Sequence, residues 1–236
     1  MAKFIEPSYK ILSEDFTRAN VLKTIERAAR TCYQSEGAIC EGSDVKLLKK
    51  LLSMGHEAMI EHAPALSVSV TTCRGVTHEI VRNRLFSFAQ ESTRYVRYGK
   101  DGDPMLFILP PWIQGAEREA LLSKVWTNKD AESHNPELSK TAALFMESCV
   151  DAETYYRLLL GEGWQPQQAR EVLPNALKTE IVITGNVRQW RHFFELRCDK
   201  PAHPSMRAIM IPLFNQLRSE IPELWDDVAE KINLEM

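Results

Sequence analysis

Arginines, carboxamides and hydroxyls crowd into one part of this chain. His78-Glu79-Ile80-Val81-Arg82-Asn83-Arg84 is followed, after two apolar residues, by Ser87-Phe88-Ala89-Gln90-Glu91-Ser92-Thr93-Arg94-Tyr95. If the first run is helical, Glu79 and Arg82 stand three apart and share a face. If the second is extended, Ser92 and Arg94 stand two apart and share a face. Guanidinium forks, a hydroxyl and carboxamides would then surround one hollow. A guanidinium offers five donors in a plane, which suits bidentate capture of phosphate and stacking on rings. The plainer alternative is a solvated cationic helix end with local ion pairs. Two later stretches extend the pattern, Gln168-Ala169-Arg170-Glu171-Val172-Leu173-Pro174 and Asn186-Val187-Arg188-Gln189-Trp190-Arg191-His192-Phe193-Phe194-Glu195-Leu196-Arg197. On a helix Arg188 and His192 stack at i,i+4, whereas Arg197 lies about 180° round, so one helix could serve two ligands. The same helix would bury Trp190, Phe193, Phe194 and Leu196 among exposed arginines.

Other chemistries find less support. His56-Glu57-Ala58-Met59-Ile60-Glu61-His62 has its histidines six apart, whereas the H-E-x-x-H metallopeptidase pattern needs them four apart on one helical face. No metal site is expected. The chain carries no G-x-x-x-x-G-K-[ST], no G-x-G-x-x-G and no G-x-S-x-G, so any dinucleotide must be held by side chains and not by a glycine-rich turn. The five cysteines (Cys32, Cys40, Cys73, Cys149, Cys198) are odd in number, lack a C-x-x-C pair and have no base placed beside them in a recognisable motif. They read as reduced thiols of a cytoplasmic protein.

The elements that must position these residues can be read from periodicity. Residues 16–33 and 44–54 carry apolar side chains at helical spacing, and 65–72 alternates like a strand with one buried face. A short helix is expected over 75–84, then an extended Ser92–Tyr98 segment and a strand at Met105–Leu109. Helices are expected at 115–127, 137–161 and 165–173, the last stopping near Pro174. A strand at 179–185 and helices at 187–197 and 204–219 complete an α+β fold, with helices around a modest, mainly antiparallel sheet. No composition shift marks a boundary, so one domain over 1–236 is expected. At 236 residues, 44% hydrophobic and 26% charged, the chain can bury a real core. The net charge of −3 gives no general reason to expect nucleic acid or an acidic membrane as partner. No apolar run approaches the roughly 18 residues of a membrane span, and the first residues lack a signal-peptide core.

Four ordered segments together resemble the flavin-dependent thymidylate synthase family over roughly residues 20–215. The family pattern R-H-R, seven residues, then Ser is met by Arg82-Asn83-Arg84 and Ser92, continuing to Arg94-Tyr95. Gly55 to His62 resembles G-H-x-[ST]-x-x-E-H, Ala169 to Pro174 resembles A-R-x-x-L-P, and Asn186 to Arg197 resembles N-x-R…F-x-x-L-R. The resemblance implies a homotetramer with FAD and substrate held where subunits meet. It implies FAD as cofactor, NADPH as reductant, methylenetetrahydrofolate as carbon donor and dUMP as the substrate methylated, with no protein nucleophile. By position, Glu79, Ile80, Val81, Arg82, Gln90, Glu91, Ser92, Thr93, Arg94, Arg170 and Arg197 are expected around dUMP. His56, Ala58, Arg82, Asn83, Arg84, Gln90, Asn186, Val187, Arg188 and His192 are expected around FAD. Arg197 is the expected catalytic residue, since a cation at the carbonyl beside N3 stabilises charge developing on the pyrimidine.

Departures from the pattern are specific. Asn83 replaces the signature histidine, Ala58 stands where a hydroxyl residue is common, and His192 stands where Asn is frequent. Glu79 and Gln90 exchange a carboxylate and a carboxamide relative to many members. Three other readings remain at this point: an enzyme adding another one-carbon group, a degenerate flavoprotein that binds nucleotide without turnover, and a nucleic-acid binder using the Arg82–Arg97 cluster. The acidic net charge and the distant matching segments count against the last.

Overall fold

The structure, a computed structural model, describes residues 1–234 apart from the side chain of Asp101. In chain order the strands are β1 (Ala2–Ile5), β2 (Ser8–Ile11), β3 (Leu66–Cys73), β4 (Ser87–Gln90), β5 (Met105–Ile108), β6 (Val125–Trp126) and β7 (Lys178–Gly185). The helices are α1 (Arg18–Thr31), α2 (Ser43–Ser53), α3 (Arg74–Ile80), α4 (Gly115–Ser123), α5 (Asn128–Ala131), α6 (Lys140–Gly161), α7 (Pro166–Ala169), α8 (Val187–Arg197), α9 (Pro204–Glu220) and α10 (Pro222–Lys231). This is the α+β mixture that the periodicity implies. No helix among the described residues is long and apolar enough to cross a membrane.

One four-stranded sheet has the order β2-β3-β7-β4. The Ser67 and Thr184 hydroxyls meet at 2.8 Å, while the Arg74 N–H donates to the Leu177 carbonyl at 3.1 Å. Those pairings fix β3 and β7 as antiparallel. Along β7 Thr179, Ile181, Ile183 and Gly185 are buried and the residues between them are not, as a half-covered strand requires.

By contacts the chain divides into two units. The first comprises 1–8, 70–80 and 89–181. In it β1 pairs with β5 in parallel, Phe4 opposite Phe107, and with β6 antiparallel. Phe4, Phe107, Trp126, Met146, Val150 and Tyr156 form its core. Helix α6 starts on Ser139, whose hydroxyl accepts the Ala142 N–H at 3.3 Å. The second unit comprises 9–69, 81–88 and 182–236. Its core is aromatic: Phe86, Trp190, Phe193, Phe194, Phe214 and Trp225 meet in tilted or edge-to-face pairs. The Trp190 indole N–H donates to the Leu66 carbonyl at 2.9 Å.

Several expected boundaries change. The helix expected over 75–84 stops at Ile80 because Asn83 turns the chain, its carbonyl accepting the Phe86 N–H at 3.3 Å and sending the ring into the aromatic core. Arg82 therefore lies beyond the helix and shares no helical face with Glu79. The segment expected to be extended after Ser92 is a turn, in which the Ser92 carbonyl accepts the Tyr95 and Val96 N–H groups at 3.3 and 3.0 Å. The helix expected over 115–127 ends at Ser123, because β6 pairs with β1 and buries Trp126. The helix expected over 165–173 is one turn of α7 followed by a 3₁₀ turn at Arg170–Val172, since the residue before Pro174 is barred from the helical region. Short strands β1, β2, β4 and β6, helix α5 and the C-terminal helix α10 are additions.

Candidate active site

The second unit holds a cavity of about 800 Å³ lined by Arg82, Asn83, Arg84, Phe86, Arg188, His192 and Arg197, among others. That volume lies in the range of cofactor sites. Helix α8 supplies one wall, and its start is built for that task. The Asn186 side chain accepts the Gln189 N–H at 3.0 Å, and the Gln189 carboxamide accepts the Asn186 N–H at 3.2 Å. This capping box fixes the entry of α8. Val187 is fully buried, so the cavity is offered no Val187 side chain. Arg197 ends the same helix and lines the same cavity as Arg188. A long, flexible arginine stem carries its head well away from the direction its Cα faces. Leu196, expected in the core, is 47% exposed and also lines the cavity.

Charge in the cavity is unevenly neutralised. Its lining includes six cations (Arg82, Arg84, Arg188, Arg191, Arg197, Lys231) against three carboxylates (Glu57, Glu61, Glu195). Arg188 donates to Glu61 at 2.8 Å and lies 3.5 Å from Glu57. Lys231 is 2.7 Å from Glu195. Arg191 is buried and donates to both Asp227 oxygens at 2.8 and 2.5 Å and to the Leu224 carbonyl. Burial works to raise the Asp227 carboxyl, but hydrogen bonds from Arg191 and its charge outweigh that and hold it below the usual carboxylate range. Arg82 and Arg84 are exposed and carry no ion pair among the described residues. Phe86 lines the same cavity, and its ring packs so closely on Gly185 that an added Cβ there would fall 2.5 Å from it. His56 and Ala58 are exposed on an adjoining hollow of about 380 Å³ that Arg188, Cys32 and Tyr33 also line.

The first unit gathers a different set. The Arg170 guanidinium donates to the Thr93 hydroxyl at 3.2 Å and lies 3.5 Å from Glu171. Ser92 Oγ accepts the Arg94 N–H at 3.3 Å, and the Arg94 head lies over the Tyr95 ring at 5.4 Å. The turn, and not an extended strand, thus groups Ser92, Thr93 and Arg94, and of these Thr93 meets Arg170. Gln90 turns inward on β4, its amide donating to the Thr77 and Thr179 hydroxyls at 2.8 and 3.3 Å. Glu91 is taken up by Tyr98 and Lys178, each at 2.7 Å. On α3 Glu79 is half-buried and Ile80 fully buried. Val81, Arg82 and Arg197, also expected around dUMP, belong to the second unit.

Sequence reasoning missed the partners that hold these residues: Thr77, Thr179, Tyr98 and Lys178 in the first unit, Glu57, Glu61 and Asp227 in the second. Nothing in local spacing joins Arg191 to Asp227, 36 residues away. Burial pushes the Cys149 and Cys198 thiols up to about 12, so neither offers a thiolate near neutrality.

The family model for thymidylate synthase complementing proteins matches residues 15–223. The chain belongs to this family. Its relatives include the flavin-dependent thymidylate synthase of Geobacter sulfurreducens, 32% identical over 208 residues, covering 86% of this chain and 79% of the relative. The enzyme of the same name from Corynebacterium aurimucosum is 35% identical over 205 residues, covering 86% and 78%. The fold is also that of the UMP/dUMP methylase PolB from Streptomyces cacaoi, seen in a crystal structure with 5-Br UMP. The TM-score is 0.72 at 19% identity, covering 100% of this chain and 99% of that one.

Proposed function

We propose that this family member makes thymidylate by reductive methylation of dUMP, using FAD, NADPH and methylenetetrahydrofolate. The observation that carries the reading is the family match over 15–223, joined to a cofactor-sized cavity whose two signature arginines carry no ion pair among the described residues. The cavity suits a flavin dinucleotide on its own chemistry. A diphosphate needs cations not already neutralised, and Arg82 and Arg84 supply them. Arg188 adds a third head, shared with Glu57 and Glu61. His192 offers a polar ring edge, and the first N–H groups of α8, at Val187 and Arg188, favour negative charge. Asn83 places a carboxamide between the two arginines, and at Ala58 only the backbone is available for a contact. Bound and reduced, the flavin supplies the reducing equivalents that turn the transferred carbon into a methyl group.

The chain's own residues do the rest. Ser92, Thr93, Arg94 and Arg170 hold the nucleotide, each charge-assisted hydrogen bond contributing ~1.5–3 kcal/mol. Glu79, Gln90 and Glu91 shape that site, and Ile80, fully buried, supports it from within and offers no side-chain contact. Arg197 stabilises negative charge on the pyrimidine and so makes its carbon 5 nucleophilic. No thiol is needed, in keeping with the raised Cys149 and Cys198. We further propose a homotetramer with shared active sites, working in the cytoplasm with its five thiols reduced, with no nucleic-acid or membrane partner.

Purified protein should be yellow, bleach when NADPH is added without oxygen, and convert dUMP to dTMP only when methylenetetrahydrofolate is present. Protein that makes no dTMP when supplied with FAD and all three substrates overturns the reading. A product heavier than dTMP by one oxygen would assign it instead to transfer of a hydroxymethyl group. A verified monomer that binds FAD tightly would overturn the shared site.

A further inference from the structure

Glu91 is fixed at four points in the first unit. Its N–H donates to the Glu180 carbonyl at 2.9 Å and its own carbonyl accepts Arg74 Nη2 at 2.6 Å. One carboxylate oxygen accepts the Tyr98 hydroxyl and the other the Lys178 ammonium, both at 2.7 Å. Tyr98 is anchored in turn. Its N–H donates to the Tyr156 hydroxyl at 3.4 Å, and the two rings meet edge-on at 6.2 Å. Next to it, the Gly99 carbonyl accepts Arg157 Nη1 at 2.9 Å. Between these anchors Arg94, Tyr95, Val96 and Arg97 are exposed. The loop from Ser92 to Arg97 is therefore closed at its base by a side-chain hydrogen bond between residues seven apart.

We propose that Glu91 and Tyr98 staple this loop, holding Ser92, Thr93 and Arg94 ready for the nucleotide, and that they are positioning residues which need not touch it. The proposal rests on the reading that the loop carries the nucleotide ligands. An open loop must be ordered at the moment of binding, and that cost is subtracted from affinity; a stapled loop has met it on folding. Burial first, and then the Glu91 carboxylate beside it, push the Tyr98 phenol upward, so it remains a donor at working pH.

The test is Tyr98→Phe in the FAD-loaded protein, which keeps the ring packed on Tyr156 and deletes the staple. The KM for dUMP should rise roughly 10-fold, the loss of one charge-assisted hydrogen bond, with kcat changed less than about twofold. Trypsin should cut faster after Arg94 or Arg97, and dUMP should slow the cut. Glu91→Gln, which keeps an acceptor for the Tyr98 hydroxyl, should lie between the native protein and Glu91→Ala in both measurements. Unchanged KM and unchanged cutting in Tyr98→Phe would overturn the staple, as would a fall in kcat with KM unmoved. Arg94→Ala separates the two ideas. If it weakens dUMP binding while Tyr98→Phe does not, the staple is wrong and the nucleotide reading stands. If neither weakens it, the nucleotide reading fails and the staple fails with it.

Discussion

Asn83 sits half-buried between two exposed arginines on the wall of the second unit's cavity. A carboxamide can donate and accept but cannot ionise, whereas an imidazole titrates near neutrality. The neighbouring turn depends on the backbone carbonyl of residue 83, which histidine would also supply. Asn83→His should therefore change single-turnover oxidation of the reduced flavin little across pH 6 to 9. A gain of ~10²–10⁴-fold with a new ionisation near neutrality would show that an acid or base had been missing. Arg197→Ala should abolish methylation while NADPH-driven bleaching persists, and Arg170→Ala should weaken dUMP binding by on the order of 10- to 100-fold. Full dTMP production by either variant would cancel its assignment. The arginines of the site are legible in the sequence because their side chains are charged and closely spaced. Their partners are not, because Arg191 finds Asp227 and Glu91 finds Lys178 only after distant segments have packed.

Helix α8 is the element on which most of the flavin reading depends. Its apolar periodicity and its Asn186 cap are local features, and the expected span of 187–197 agrees with the structure. Helix α10 braces it through Arg191 and Asp227, and is absent from the expected helices even though Pro222 starts it and Leu224, Trp225, Val228 and Ala229 recur at helical spacing. The sign of its pH response follows from the carboxyl. The Asp227 carboxyl lies lower in the folded chain than the roughly 3.9 of an unfolded aspartate. Its contribution is thus present above about pH 4 and lost as pH falls through the folded value. Asp227→Asn should cost about 1–3 kcal/mol at pH 7, toward the lower end because Asp227 is partly exposed, and should flatten the acid limb of the stability curve. Urea midpoints at pH 7 and pH 3 measure this; equal losses at both would remove the carboxylate from the account. Strands β1 and β6 were illegible for another reason. They have four and two residues, and β1 pairs with segments more than 100 residues away.

The whole chain passes between its two units five times, at residues 8–9, 69–70, 80–81, 88–89 and 181–182. Strands β3 and β7 each contribute residues to both. We propose that the chain nevertheless behaves as one domain, because neither unit is a continuous stretch able to fold before the rest is made. Denaturant unfolding followed by hydrogen exchange should give one transition for peptides around Trp126 and Trp190, which lie in different units. Two separated midpoints would establish two domains. Fold class is legible at this scale from helical and alternating patterns alone. The division into units is not, since it follows contacts and leaves no mark in composition.

Gly185 ends β7 where Phe86 presses against it, and Phe86 is itself wedged edge-on between Trp190 and Phe193 at 5.1 and 5.6 Å. A methyl group there would meet the wedged Phe86 ring and crowd the Gln189 carboxamide, and overpacking of this kind costs about 1–3 kcal/mol. In a chain of this size that corresponds to a melting point lower by roughly 2–12 °C. A cell that relied on the Gly185→Ala protein for its thymidylate would then grow when cool and starve for DNA precursor when warmed, and added thymidine would relieve it.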